Sequence, residues 1–344
     1  MRSLTGFPLL VPFCAALLAG CGGRDGAAAT AADSTATRSR SPYGALASEN
    51  VRVVPVEIEV IDLPRGWDGM RIAALSDFQL GLWPDNVNVA RAAVERAVAE
   101  KPDLVVLLGD YVTRGRDYTA LDRVLAPLRG RTVFAVLGHT DAEQDTEGPD
   151  STLIRASEAL ARNGVRVLRN QRAPFVRGRD TAYIGGVDPF TPLKPEWRQA
   201  EIFGGVPGGP RTPVLLSHMP VTAYAVPRDK YPSVLTGHTF CGQTEVPGTP
   251  RLIWVNSEVF PGTPDPSRTR IWRIRGSTVF ATCGVGYSFV PVRMGAPPEV
   301  AMITLKRIDG APRDTTGARP VNVDSLIEYF QPDTTERDST GGTD

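Results

Sequence analysis

Three histidines are all this chain contains: His139, His218 and His238. Each directly follows an apolar run, in "VFAVLGHTD", "VLLSHMP" and "SVLTGH". Two aspartates, Asp77 and Asp110, follow apolar runs in the same way, in "RIAALSD" and "LVVLLGD". Carboxylates and imidazoles are the ligands that hold divalent cations such as zinc and manganese. In layered α/β proteins, ligands bind beyond the carboxyl ends of strands. Scattered core or surface histidines would not all sit at strand tips. The pattern therefore points to a metal site assembled from strand ends. Each residue also has a plainer reading: Asp77 or Asp110 taken alone fits a helix N-cap, and His139 fits a pocket wall.

The elements that must position these tips read clearly. "VRVVPVEIEV" alternates like an edge strand, and Pro55 suits an edge. Buried strands are expected around 70–77, 103–110 and 131–141, the last ending in polar residues. Helical spacing lies between them: over 88–101, ended by Pro102; in "YTALDRVLAPL", shortened by Pro127; and in "TLIRASEALARNG", closed by Gly164. Strands alternating with helices imply α/β layering, and later strand-like runs ("TAYIGGVD", "TPVLLSH", "SVLTGH", "STVFATCGVG", "VAMITLKRI") imply a mixed or antiparallel part.

The polar tips occur in a specific order: "SDFQLG" (76–81), "GDYV" (109–112), "GHTD" (138–141), "LLSHMP" (215–220) and "GHTFCGQ" (237–243). This series resembles the calcineurin-like metallophosphoesterases, in their bacterial envelope and membrane-associated branch, over about residues 55–306. "GVRVLRNQ", "AYIGGVD" and "CGVGYSFVPVRMGAPPEVAMITL" extend the likeness. The resemblance implies a β-sandwich of mixed sheets flanked by helices, and two metals sharing an aspartate. Asp110 would be the shared ligand. The first metal would also take Asp77, Gln79 and the residue at 240. The second would take His139, His218 and His238. A catalytic histidine would stand at 140.

Several positions depart from that pattern. Phe240 has no lone pair, and Gln79 offers a neutral amide oxygen in place of an imidazole. His139 stands where the family has Asn, so one carboxylate and three imidazoles form a four-coordinate zinc or manganese set. The expected cofactors are one tight ion (Zn or Mn) and one weak ion (Mn or Mg) on Asp77 and Gln79. Thr140 replaces the catalytic histidine and cannot act as a general acid near neutral pH. A shifted alignment makes His139 that histidine instead; keeping Gly138 and Asp141 in register favours the unshifted one. The expected activity is hydrolysis of a phosphomonoester, phosphodiester or pyrophosphate by metal-activated water at an altered site. The alternative is an inactive protein that binds a metal, a phosphate ligand or a partner in the same cleft. A serine or cysteine hydrolase is disfavoured, since nothing around Cys241 forms a nucleophile elbow. Asp141 is expected to orient a neighbour or cap a turn. Arg114 could hold a substrate phosphate through its planar fork, or lie solvated at the surface. Trp254 and Trp272 are expected in the core, a rim shaping substrate access or facing a membrane being the alternative.

Lys plus Arg and Asp plus Glu are equal at 38 each, which gives no basic surplus for nucleic acid. Residues 1–20 read as a lipoprotein signal: one arginine, an apolar run too short to span a bilayer, and small residues before Cys21. Cys21 would carry lipid and anchor the chain in a bacterial envelope, facing the periplasm or exterior, next to small-molecule or lipid-linked phosphates. Residues 21–50 are a Gly/Ala/Ser/Thr tether, 51–308 the phosphoesterase domain, and 309–344 a polar tail in which "VDSLIEYF" could form a short helix. Cys241 and Cys283 remain. In an oxidising envelope they could pair, and two free buried thiols are the default expectation.

Overall fold

A computed structural model of the chain describes residues 49–113, 118–141, 149–189, 212–227, 229–243, 270–288 and 290–310. Residues 1–48, which hold the expected signal, Cys21 and most of the expected tether, and Arg114, Trp254 and residues 311–344 lie outside the described residues.

Two six-stranded sheets stack face to face. The first runs β1 (Arg52–Ile61), β12 (Glu299–Ile308), β2 (Arg71–Leu75), β3 (Leu104–Leu107), β4 (Val133–Ala135) and β5 (Arg166–Val167). The second runs β10 (Ile271–Ile274), β11 (Ser277–Ala281), β9 (Ser233–Thr236), β8 (Val214–Leu216), β7 (Asp180–Gly186) and β6 (Gln171–Arg177). Strands β2 to β5 are parallel, as are β7, β8, β9 and β11. Antiparallel pairs join β12 to β2, β10 to β11 and β6 to β7. β1 is an edge strand, as Pro55 required, and pairs in parallel with β12.

Strand alternation divides the apolar residues between layers. Ile72 and Ala74 of β2, Val106 of β3, Val214 and Leu216 of β8 and Leu235 of β9 meet Phe280 and Ile303 between the sheets. Their neighbours in sequence point the other way. Ala73, Leu75, Val105 and Leu107 pack under helices α1 (Asn86–Ala99), α2 (Tyr118–Leu125) and α3 (Pro149–Arg162). Leu215 and Val234 pack with Ala223 and Tyr224 of the short helix α4 (Thr222–Ala225), and Trp272 is buried in that same layer. The mixed β-sandwich flanked by helices is thus the one expected.

Local signals explain the helix limits. α1 buries Val89, Ala90, Ala93, Val94 and Ala97, the spacing of one helical face. It stops before Lys101, in a left-handed conformation, and Pro102, which cannot continue an α ladder. α2 gives way at Ala126–Leu128 to a 3₁₀ turn containing Pro127.

One expectation is corrected. Cys241 and Cys283 are not free thiols: they form a disulfide, their Cα atoms 4.6 Å apart and 42 residues apart in sequence. The pairing needs the end of β9 and the end of β11 to be neighbours, and parallel pairing of those two strands makes them so.

Candidate metal centre

The five chemical tips leave parallel strands at one edge of the sandwich. Asp77, Asp110 and His139 follow β2, β3 and β4 of one sheet; His218 and His238 follow β8 and β9 of the other. Parallel pairing forces all these carboxyl ends to the same side. Side chains from the tips of both sheets therefore meet, one polar atom from each of Asp110, His139, His218 and His238 lying close to the others.

The geometry is close. Asp110 Oδ2 lies 3.4 Å from His139 Nδ1 and 3.3 Å from His218 Nε2. His139 Nδ1 and His218 Nε2 are themselves 3.2 Å apart. Tetrahedral coordination with bonds of about 2.0–2.1 Å places neighbouring ligand atoms about 3.3 Å from one another. These three atoms already have that spacing. Adding His238, one ligand atom from each of the four residues lies within 4.8 Å of the others. The His238 ring stands edge-on to both other imidazoles, with centroids 4.8 and 5.0 Å away.

Neighbouring groups orient these ligands. His218 Nδ1 donates to the carbonyl of Leu108 at 2.7 Å, which leaves Nε2 turned toward Asp110 as the atom free to bind a cation once its proton is displaced. Asp110 Oδ1 accepts from the Thr140 backbone N–H at 3.0 Å. Asp141 accepts four backbone N–H groups: Asp110 and Gly138 on Oδ2, Tyr111 and Val112 on Oδ1. It ties the loop after β3 to the loop after β4, which is the orienting role expected of it. Gly138 is required by this contact, because a Cβ there would fall on Asp110 Oδ1.

The backbone is strained at the same place. Asp77, Gln79, Asp110 and His238 all have φ between 51 and 70°. Each such conformation costs on the order of 1–3 kcal/mol outside glycine, and such residues cluster at functional sites.

Electrostatics favours a cation. Burial opposes ionisation of Asp110, but the electrostatic effect of the neighbouring His139 and His218 rings outweighs it and holds its carboxyl well below the usual range. Burial would lower the His218 pKa, yet Asp110 and Asp77 raise it to about 9. Burial and the two neighbouring histidines push His238 well below its ordinary value, so its ring is neutral and ready to ligate. Burial, reinforced by Asp110, raises Asp77 to about 6.

Asp77 and Gln79 stand beside the four-residue cluster. Asp77 is not an N-cap: its Oδ2 accepts the His238 backbone N–H at 3.0 Å. Its Oδ1 is buried with no hydrogen-bond partner, the kind of oxygen a cation would satisfy. Gln79 turns its amide nitrogen, not its oxygen, toward Asp110, and its Oε1 accepts from Thr113. Phe240 is buried, with the Arg293 guanidinium 5.4 Å from its ring centroid. The Thr140 hydroxyl is buried without a hydrogen-bond partner.

The pattern of calcineurin-like phosphoesterases matches residues 70–242, which contain every one of these ligands. The chain belongs to that family. A zebrafish relative named "Transmembrane protein with metallophosphoesterase domain" is 29% identical over 286 residues, covering 77% of this phosphoesterase-family chain and 60% of the relative. The chain thus spans well under two thirds of that relative. Phosphodiesterase YaeI of Escherichia coli is 29% identical over 220 residues, covering 62% of this chain and 74% of its own. Among solved structures, a dimetal phosphatase from zebrafish superposes with a TM-score of 0.38 at 14% identity, covering 63% of this chain and 88% of that one.

As a family member the chain has a donor set that fits a divalent metal: one buried carboxylate, three imidazoles and an unsatisfied carboxylate oxygen alongside. Sequence reading missed several supports of this site. Thr113 fixes the Gln79 amide, and Gln243 bridges the loop after β9 to residues 288, 290 and 292. Arg293 donates to the carbonyls of Cys283, Gly286 and Ala296. Gln243, in "GHTFCGQ", and Arg293, in "CGVGYSFVPVRMGAPPEVAMITL", lay within stretches that could have drawn notice; Thr113 lay just past "GDYV".

Proposed function

We propose that this chain is a metal-dependent phosphoric ester hydrolase with one tightly held ion, zinc or manganese, on Asp110, His139, His218 and His238. The supporting observation is the tetrahedral spacing of Asp110 Oδ2, His139 Nδ1 and His218 Nε2. A second, weaker cation (Mn or Mg) would rest on Asp77 and Asp110, with Gln79 contributing its oxygen only if its amide turns over. When bound, a cation of this kind supplies Lewis-acid chemistry, acidifying water and polarising a phosphoryl oxygen.

The chain's own residues do the rest. Asp110 supplies the buried charge that draws the cation in. Leu108 holds His218 in the tautomer that ligates. Asp141 fixes the two loops so that these ligands need little reorganisation. Thr140 offers no proton to a departing alkoxide. The reaction therefore favours esters whose leaving group departs without one: aryl phosphates, nucleotide-linked pyrophosphates and similar compounds, including lipid-linked ones. The relative named a phosphodiesterase adds aryl phosphodiesters to that group.

In this reading the protein is a lipoprotein of the bacterial envelope held by lipid on Cys21, which would place the cleft near lipid-linked phosphates, and nucleic acid is not its partner. No helix among the described residues is long and apolar enough to cross a membrane.

The test is metal quantification on the purified mature chain, followed by assays with p-nitrophenyl phosphate and its bis-aryl diester in Mn²⁺. One tightly held ion per chain with turnover supports the proposal. A second reading rests on Thr140 and Phe240: a module that keeps one ion and binds phosphate without turning it over. One ion without turnover would select that reading, and no ion in folded protein would sink both.

A further inference from the structure

We infer that the Cys241–Cys283 disulfide is a positioning device for His238, holding the loop after β9 in the one conformation that presents its imidazole to the cluster. The claim about metal affinity rests on the metal reading above; the claim about the loop does not.

The loop cannot hold this shape by regular structure. His238, Phe240, Cys241 and Gln243 have φ of 70, 48, 48 and 39°, four left-handed non-glycine residues within six positions. Such a segment relaxes unless its surroundings determine it. Phe240 lacks any donor to tie the loop to a cation. Its neighbour Cys241 is instead bonded to Cys283.

Cys283 is a firm post. Its backbone N–H donates to Glu299 at 2.9 Å, and Glu299 also accepts from Thr282 Oγ1 at 2.8 Å and pairs with Arg270 at 2.6 Å. Beyond it, Val285 N–H donates to the Ser76 carbonyl and Gly286 N–H to the Asp77 carbonyl, at 2.9 and 2.7 Å. The disulfide thus links the His238 loop, through residues 283–286, to the Asp77 loop. Asp77 closes the circuit by accepting the His238 N–H.

Arg293 spans the same gap noncovalently, stacked near Phe240 and donating to the Cys283 carbonyl at 2.9 Å. The fold around the loop is therefore retained when the disulfide opens, and the loop alone loosens.

The experiment compares the oxidised mature chain with protein reduced by a phosphine, freed of reductant anaerobically, and with a Cys241→Ala/Cys283→Ala variant. Hydrogen exchange is read over residues 237–243, and Co²⁺ affinity is read from its visible absorption. Reduction is expected to speed exchange in that segment while circular dichroism is unchanged, and to weaken Co²⁺ binding by about tenfold, as loss of a ligand-orienting contact does. The variant should match the reduced protein and ignore the phosphine; if it fails to fold, the reduced wild type carries the result. Equal exchange in oxidised and reduced protein overturns the inference, as does global unfolding on reduction. If the oxidised protein takes up no Co²⁺ yet reduction still frees the segment, the positioning role stands and the metal reading falls.

Discussion

Gln79 donates through Nε2 to Asp110 Oδ2 at 2.9 Å, on the same oxygen that faces His139 and His218. Thr113 holds the far side of the amide, so the donor stays aimed. Gln79 thus orients the carboxylate that the cluster depends on. Gln79→Ala should weaken metal binding about tenfold, the low end of the range for loss of an outer contact. Asp110→Asn removes a direct ligand and the buried charge, and should weaken it more than about 100-fold by the same scale. Chelator competition on the folded variants measures both. Equal losses would mean that Gln79 is itself a ligand.

Metal affinity should depend on pH through His218. In the metal-free protein Asp110 raises its pKa to about 9, and a cation must displace that proton. The sign follows directly. Below about 9 each unit of falling pH makes displacement about tenfold harder; above it the dependence flattens. Isothermal titration at several pH values, with buffers of different ionisation enthalpy, counts the released protons. No proton release near pH 7 would contradict the coupling.

Asp141→Asn tests the link between the two loops. The substituted amide puts an NH₂ against two of the four backbone N–H groups that Asp141 now satisfies. A buried donor left unsatisfied costs about 1–3 kcal/mol, so with two of them the variant should lose about 2–6 kcal/mol of stability. Denaturant unfolding reads this. A loss below about 1 kcal/mol would mean that the loops hold themselves.

Thr140→His should raise turnover if the four-residue site is an active centre short of an acid. Positioned general acids contribute about 10²–10⁴-fold, most for substrates with poor leaving groups. Comparison of an alkyl with an aryl phosphate reads the selectivity. An equal gain on both would argue that the histidine acts by charge, and no gain on either that the cleft does not turn substrate over.

The strands were legible because apolar runs ending in a Gly or Ser followed by Asp or His carry their own signal. The helix ends were legible because Pro102, Pro127 and Gly164 act locally. The gathering of Asp110, His139, His218 and His238 was legible because these residues sit just past strands, and parallel strands end together. The disulfide was not. Its cysteines lie 42 residues apart, and nothing in their immediate sequence says that β9 and β11 run side by side. The direction of the Gln79 amide was equally hidden, since its partners Asp110 and Thr113 reach it from the next strand.

The order of residues along the chain by itself determined which side chains can hold a cation, which positions lack the usual donors, and that alternating strands and helices would carry them. Those properties depend on side-chain chemistry and on periods of a few residues. Only the tertiary structure decided that His218 faces Asp110 through Nε2, that Asp77 spends one oxygen on the His238 amide, and that Cys241 finds Cys283. These are contacts between segments far apart in sequence: the packing of one sheet on the other sets the first two, and the pairing of β9 with β11 within one sheet sets the third.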